Sequence, residues 1–276
     1  MEIRFFGVRG SIASSSPSTA RIGGNTSCLE VRHGHSRIIL DAGTGIRALG
    51  DAAMKAPEPF EATLLFSHLH WDHVQGFPFF APAYKPDTHL HLYGPFEGGG
   101  AALRSVLEKQ MEPPNFPVPF AAMRASTSFH DARPLEAFNV GEIRVTPMAL
   151  PHPQGCLGFH LQAGASRFAY LTDVEVSLDT LSPDVRALLT GVDVLVLDAQ
   201  YTPEEYAGVG GPPRKGWGHS TMMDAAAIAA ACGVRSLYLF HHDPAHNDDA
   251  VEAMAKSARS VFLRTTPACE GLAVSV

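Results

Sequence analysis

Five apolar runs in this chain end in a residue that can do chemistry. Asp41 closes RIILD, His68 follows TLLFS, Asp173 ends FAYLTD, Asp198 ends VLVLD, and His241 follows LYLF. Short runs of Leu, Ile, Val and Phe of this kind read as buried strands. Strands that each deliver a polar group at the carboxyl end must bring those ends together along one edge of the sheets, where α/β folds place ligands. The strand pattern covers Glu30–Val31, Arg37–Leu40, Ala62–Phe66, Leu90–Tyr93, Ile143–Met148, Phe168–Leu171, Val192–Leu197 and Leu237–Phe240. The opening MEIRFFGVRGS reads as a first strand running into a turn. Helical spacing falls at Gly45–Met54, Gly99–Gln110 and Met222–Cys232, the last with Thr221 as N-cap and Asp224 three residues on. Met111–Pro134 is proline-rich and aperiodic, so it reads as a long ordered loop.

The segment after the third of these strands is Ser67-His68-Leu69-His70-Trp71-Asp72-His73. One histidine alone would mean little. Three histidines and an aspartate within six residues, buried together, would repel or demand many hydrogen bonds unless a cation joined them. Imidazole and carboxylate are good ligands for zinc and neighbouring first-row metals.

HLHWDH is similar to the HxHxDH signature of the metallo-β-lactamase superfamily. FFGVRGS, the GGNTSC turn, LDAGTG, the isolated His152, LTD at Asp173 and GHST…LFHHD follow in the family's order, so the resemblance runs over nearly the whole chain. It implies an α/β fold, a four-layer αββα sandwich of two mixed β-sheets flanked by helices, in one domain over residues 1–276. It implies two divalent transition-metal ions per chain, zinc first, with manganese or iron as alternatives. His68, His70 and His152 would hold one ion; Asp72, His73 and His241 the other; Asp173 would bridge both. His242 is the rival of His241, which stands first after its strand. Asp41 is expected behind the ligands, orienting one of them. A homodimer is an expectation from the resemblance alone.

Two adjacent ions can bridge a hydroxide and make it a nucleophile for phosphodiesters, lactams, lactones or thioesters alike. The choice comes from Gly218-His219-Ser220-Thr221, which resembles the segment of the ribonuclease-Z-like branch whose histidine serves the phosphate. Asp198 matches the acidic residue that orients it, although that branch usually shows Glu there. His219, Asp198 and Asp72 are therefore the catalytic candidates. A His–Asp pair favours an imidazolium, which can hold a phosphoryl oxygen or protonate a leaving alkoxide. Ribonuclease Z proper carries a tRNA-gripping arm, in many members between the counterparts of His152 and Asp173. Here only residues 153–172 intervene. The formal net charge of -7 agrees, since long polyanions usually meet a basic face. The expectation is a hydrolase of small phosphodiesters such as cyclic nucleotides, with no long nucleic acid as partner. Asn25, Phe77 and Phe116 are its expected substrate contacts, the two rings as stacking surfaces for a base.

Other readings of the same metals are a lactonase, thioesterase or β-lactamase-like hydrolase, ribonuclease-Z-like RNA processing, and a metal-binding sensor without turnover. A flavin-partnered di-iron oxidoreductase ranks low, because His70 stands where that group usually has glutamate. Cys28, Cys156, Cys232 and Cys269 form no CxxC pair and read as buried small residues. No signal-peptide pattern opens the sequence and no apolar run approaches spanning length, so a soluble cytoplasmic protein without a membrane partner is expected.

Overall fold

The computed structural model describes residues 1–56, 58–95 and 98–276. Two seven-stranded mixed sheets form its centre. The first runs in the order β14 (Ala273–Ser275), β1 (Glu2–Gly7), β2 (Cys28–His33), β3 (Ser36–Leu40), β4 (Glu61–Leu65), β5 (His89–Pro95), β6 (Ser126–Ala132). The second runs β13 (Thr265–Pro267), β12 (Ser236–Phe240), β11 (Val194–Asp198), β10 (Ser166–Leu171), β9 (Cys156–Ala163), β8 (Ile143–Leu150), β7 (Phe138–Val140). Each sheet is half antiparallel and half parallel. Strands β1 to β3 form a meander and β3 to β6 run parallel. In the second sheet β7 to β10 alternate, and β10 to β13 run parallel.

Helices α1 (Ile46–Ala53), α2 (Trp71–Val74) and α3 (Gly99–Gln110) come from the first half of the chain. Helices α4 (Pro183–Leu189), α5 (Pro203–Ala207), α6 (Met222–Ala231) and α7 (Asp248–Ala258) come from the second. Three apolar cores separate the layers. Ile3, Phe5, Leu40, Phe159, Tyr170 and Phe240 lie in the core between the sheets. Ile46, Leu49, Leu103 and Leu107 pack helices on the outer face of the first sheet. Ala225, Ile228, Met254 and Ala258 do the same for the second. This is the αββα sandwich of the metallo-β-lactamase fold.

The segment 111–134 departs from its reading as a loop. It holds a short 3-10 turn and then strand β6, paired parallel with β5 from His89↔Ser126 to Pro95↔Ala132. An edge strand with a half-exposed face can be polar, and STSFH carries no apolar alternation. Strand β9 was also absent from the sequence pattern. Gly158 and His160 interrupt its apolar run, yet both are buried. Among the described residues no helix is long and apolar enough to cross a membrane.

Candidate dinuclear metal centre

The parallel halves of the two sheets point their carboxyl ends at one rim, and the polar residues that follow those strands meet there. His68, His70 and His152 each offer a ligand atom within 4.8 Å of the others. Asp72, His73, Asp173 and His241 form a second such group. Asp173 lies between them, with its two oxygens divided. Oδ2 faces His68 Nε2 at 3.6 Å and His152 Nε2 at 3.9 Å. Oδ1 faces His73 Nε2 and His241 Nε2, each at 3.1 Å. Asp72 Oδ2 is 3.3 Å from both His73 Nε2 and His241 Nε2, and it accepts from the Ser11 amide at 2.7 Å.

The nitrogens turned away from this centre have partners of their own. His73 Nδ1 is 2.9 Å from Asp41, which also accepts from the Ser67 amide, the Ser67 hydroxyl and the Tyr170 hydroxyl. His152 Nδ1 donates to the Gly218 carbonyl at 2.9 Å. His70 Nε2 donates to Gln154 Oε1 at 3.1 Å, which leaves Nδ1 facing His152 Nε2 at 3.3 Å. His68 Nδ1 lies 3.1 Å from the Ser67 hydroxyl. Such partners fix the tautomer and aim the free nitrogen at a metal.

The donor set fits two cations. His68 Nε2 and His73 Nε2 are buried without a hydrogen-bond partner, which is costly unless something else accepts the lone pair. Burial alone would raise the Asp173 carboxyl, but His241, His73 and His68 outweigh it and hold the group well below the usual carboxylate range. Burial opposes charge on His73 too, and Asp173, Asp72 and Asp41 overcome it. The centre thus demands positive charge, and divalent ions meet that demand by displacing protons from the ligands.

Local backbone geometry is bent to the same end. Asp41, Asp173 and His241 all have positive φ, 61°, 46° and 59°. Each turns the chain sharply where its strand ends, a conformation seldom kept by residues other than glycine unless the surroundings enforce it. Close approach needs glycine at two points. A Cβ on Gly10 would collide with the His241 ring, and one on Gly218, at φ 90°, with His152.

His219 stands beside both ligand groups. Its ring stacks on His241 at 5.0 Å and meets His152 edge-on at 5.4 Å. Its Nδ1 is 2.7 Å from Asp198, which is fully buried and also accepts from the Gln200 amide at 3.0 Å. Burial pushes His219 down, but Asp198 prevails and the group is pushed up to about 9.

Of the three expected substrate contacts, Phe77 is turned away from this rim. Phe77 is wholly buried in the outer core of the first sheet, its ring stacked on Phe120, so it has no face for a base. Phe116 is half-buried and meets Phe79 edge-on at 5.5 Å. Asn25 gives its backbone and side-chain N–H groups to Glu270, at 2.6 and 2.9 Å, and so braces its own turn. His242 donates to the Ala268 carbonyl at 2.9 Å, away from the ligand groups that His241 joins. Two residues outside the expected set belong to the site. One is Gln154, behind His70. The other is Glu175, which accepts from the amides of Gly216 and Gly218 and from the Tyr206 hydroxyl. Neither had a strand end or a motif to mark it.

A family model described as the β-lactamase superfamily domain matches residues 36–242. Ribonuclease Z of Porphyromonas gingivalis is 24% identical over 260 residues, covering 77% of this chain and 81% of that one. The metallo-β-lactamase fold protein YhfI from Bacillus subtilis superposes with a TM-score of 0.73 at 17% identity, over 99% of this chain and 98% of the other. A diphosphatase from the PhnP family superposes at 0.72 with 18% identity, over 100% and 97%. At such identities the solved structures show the fold.

Proposed function

Because the chain belongs to the β-lactamase superfamily domain family, we propose that it is a metal-dependent hydrolase of small phosphodiesters, with cyclic nucleotides as the leading class. The observation that carries this reading is the His219–Asp198 pair, 2.7 Å apart, set against His241 and His152. Hydrolysis of a neutral lactam or lactone has less use for a histidine biased toward its cationic form. The relatives named ribonuclease Z and diphosphatase support phosphoryl chemistry in the family.

In this reading His68, His70 and His152 would hold one ion, Asp72, His73 and His241 the other, and Asp173 would serve both. The ions, when bound, supply an activated water and neutralise charge on the phosphoryl oxygens. The protein's own residues do the rest. Asp198 accepts from His219 Nδ1, which leaves the Nε2 proton as the one that can be given away. His219 Nε2–H first donates a hydrogen bond to a phosphoryl oxygen or to the ester oxygen that will leave. As the P–O bond breaks, that proton passes to the departing alkoxide, and neutral His219 regains one from solvent. Asp198, hydrogen-bonded to Nδ1, favours the protonated ring. The Ser11 amide donates to Asp72 Oδ2 and fixes that carboxylate in place.

Residues 153–172 bear on substrate size. Strands β9 and β10 pair as a hairpin from Phe159↔Tyr170 to Ala163↔Ser166, and the interval before it is a turn followed by the start of β9, which pairs with β8. The whole stretch contains no arm for a folded RNA.

The test is turnover at matched metal loading on 3′,5′- and 2′,3′-cyclic nucleotides, bis(p-nitrophenyl) phosphate, a lactone, a β-lactam and a precursor tRNA. Diester cleavage with negligible tRNA processing is expected. Lactone or lactam cleavage without diester turnover would overturn the reaction class, and efficient tRNA processing would overturn the size argument.

A further inference from the structure

One loop at the rim is anchored at its end by a single carboxylate. Residues 208–218, between α5 and the GHST turn, include positive-φ glycines at 208, 210, 216 and 218. Glu175 binds the end of this loop with one carboxylate. Gly216 N donates to both its oxygens at 2.9 Å, Gly218 N donates to Oε2 at 2.9 Å, and the Tyr206 hydroxyl donates to Oε1 at 2.6 Å. The Gly218 carbonyl then accepts from His152. The residue between the two anchored amides is Trp217, and its side chain is 48% exposed.

An exposed indole on such a loop adds little to folding. Its surroundings suit recognition. The Arg214 guanidinium lies 4.4 Å from the centre of the Trp217 ring and 5.6 Å from that of Tyr201. Tyr201 in turn meets His219 edge-on at 5.9 Å. The stack Trp217–Arg214–Tyr201–His219 therefore runs from the solvent to the proposed proton donor. Lys215, between Arg214 and Gly216 in the loop, lines a groove of about 320 Å³ together with His219, Ser177, Thr180 and the carboxylates Glu175 and Asp224; Trp217 stands outside that lining. An aromatic plate braced by a guanidinium, next to a lone lysine and a phosphate-serving histidine, matches a ligand with one planar ring and one phosphate.

We propose that Trp217, braced by Arg214 and Glu175, is the surface on which the planar base of a nucleotide phosphodiester stacks while its phosphate lies at His219. This rests on the phosphodiesterase reading and narrows it to nucleotide substrates. It also moves base recognition from Phe77, which is core, to the loop 208–218.

Trp71 and Trp217 are the only tryptophans in the chain, so indole emission can report binding without turnover. In a Trp71→Phe background with metals loaded, titration with adenosine 5′-monophosphate should quench Trp217 saturably. Ribose 5-phosphate, which lacks the base, should not. In kinetics, Trp217→Ala should raise KM for thymidine 5′-(p-nitrophenyl) phosphate by roughly 5- to 150-fold, the range for loss of one base–aromatic stack. KM for methyl p-nitrophenyl phosphate and the metal content should hold, and Trp217→Phe should recover most of the loss. Saturable quenching without cleavage of any diester would sustain the stacking surface and remove the reaction. Diester cleavage with equal or absent responses to the two ligands, and with no selective KM change in Trp217→Ala, would overturn the stacking surface and leave the reaction standing.

Discussion

Asp41, Gln154 and Gly218 each hold one histidine of the proposed metal centre from behind, and the three differ in kind. His73 leans on a buried carboxylate with four donors, and His152 on a backbone carbonyl. His70 leans on the neutral amide of Gln154 in an exposed contact. That makes His70 the most easily freed, and Gln154→Leu should weaken retention of the ion at the three-histidine position by about 10- to 100-fold. Competition with a chelator, followed by metal analysis, would measure this; unchanged release from both positions would refute it. His219 poses the opposite case. It lies within ligating reach of His152 and Asp173, yet its Nδ1 is committed to Asp198. His219→Ala should therefore keep both ions and lose about 10²- to 10⁴-fold in diester turnover. Loss of metal in that variant would make His219 a ligand. A third histidine bears on acid stability. Burial pushes His242 down to about 3, against the Ala268 carbonyl that its Nε2–H serves. Between the ordinary histidine value near 6.5 and about 3, the unfolded chain binds a proton that the folded chain refuses, so stability falls as pH falls, by up to about 1.4 kcal/mol per pH unit. His242→Gln can still donate to Ala268 and has nothing to protonate. Its denaturant midpoint should decline less steeply than that of the natural protein from pH 6.5 to 4.

At the level of elements, much was legible because apolar runs and strand-end chemistry coincide. RIILD, FAYLTD and VLVLD became β3, β10 and β11, each with its aspartate at the rim. The helix at 222–231 begins where Thr221 accepts from Asp224 N. Elements set by tertiary context were not legible. Strand β6 is polar because it forms an edge, and β9 is broken in pattern by Gly158 and His160. The aromatic segment 77–80 failed for a related reason. Sequence shows that phenylalanines follow the metal loop, but only packing shows which way they turn. Phe77 turns inward, so Phe77→Ala should cost about 3–5 kcal/mol in stability. It should leave KM for diesters unchanged in whatever folded fraction remains. A selective KM effect with little loss in melting temperature would restore it as a substrate contact. Gln154 and Glu175 were invisible for a simpler reason: each lies in a connection without motif or periodicity, and only the folded chain shows what its side chain reaches.

Across the whole molecule, the two proposed ion positions draw on both sheets. His68, His70, Asp72 and His73 follow β4 of the first sheet, whereas His152, Asp173 and His241 come from the second. Each proposed ion thus joins side chains across the sandwich. Protein reconstituted with excess zinc should contain close to two ions per chain by elemental analysis. Chelation should lower its melting temperature, since free ion at 100 times its dissociation constant stabilises by about 2.7 kcal/mol. One ion or none, or a melting temperature indifferent to chelator, would contradict the assignment. The chain passes from one sheet to the other between Ala132 and Phe138, and comes back only with β14. Cut in that connection, the polypeptide would become two pieces, each carrying half of every coordination sphere. Expressed separately, fragments 1–134 and 135–276 should find one another far more tightly in zinc than in chelator, like the two teeth of a clasp that closes only around the ion. Reassembly indifferent to zinc would mean that the apolar interface between the sheets suffices to hold the halves together.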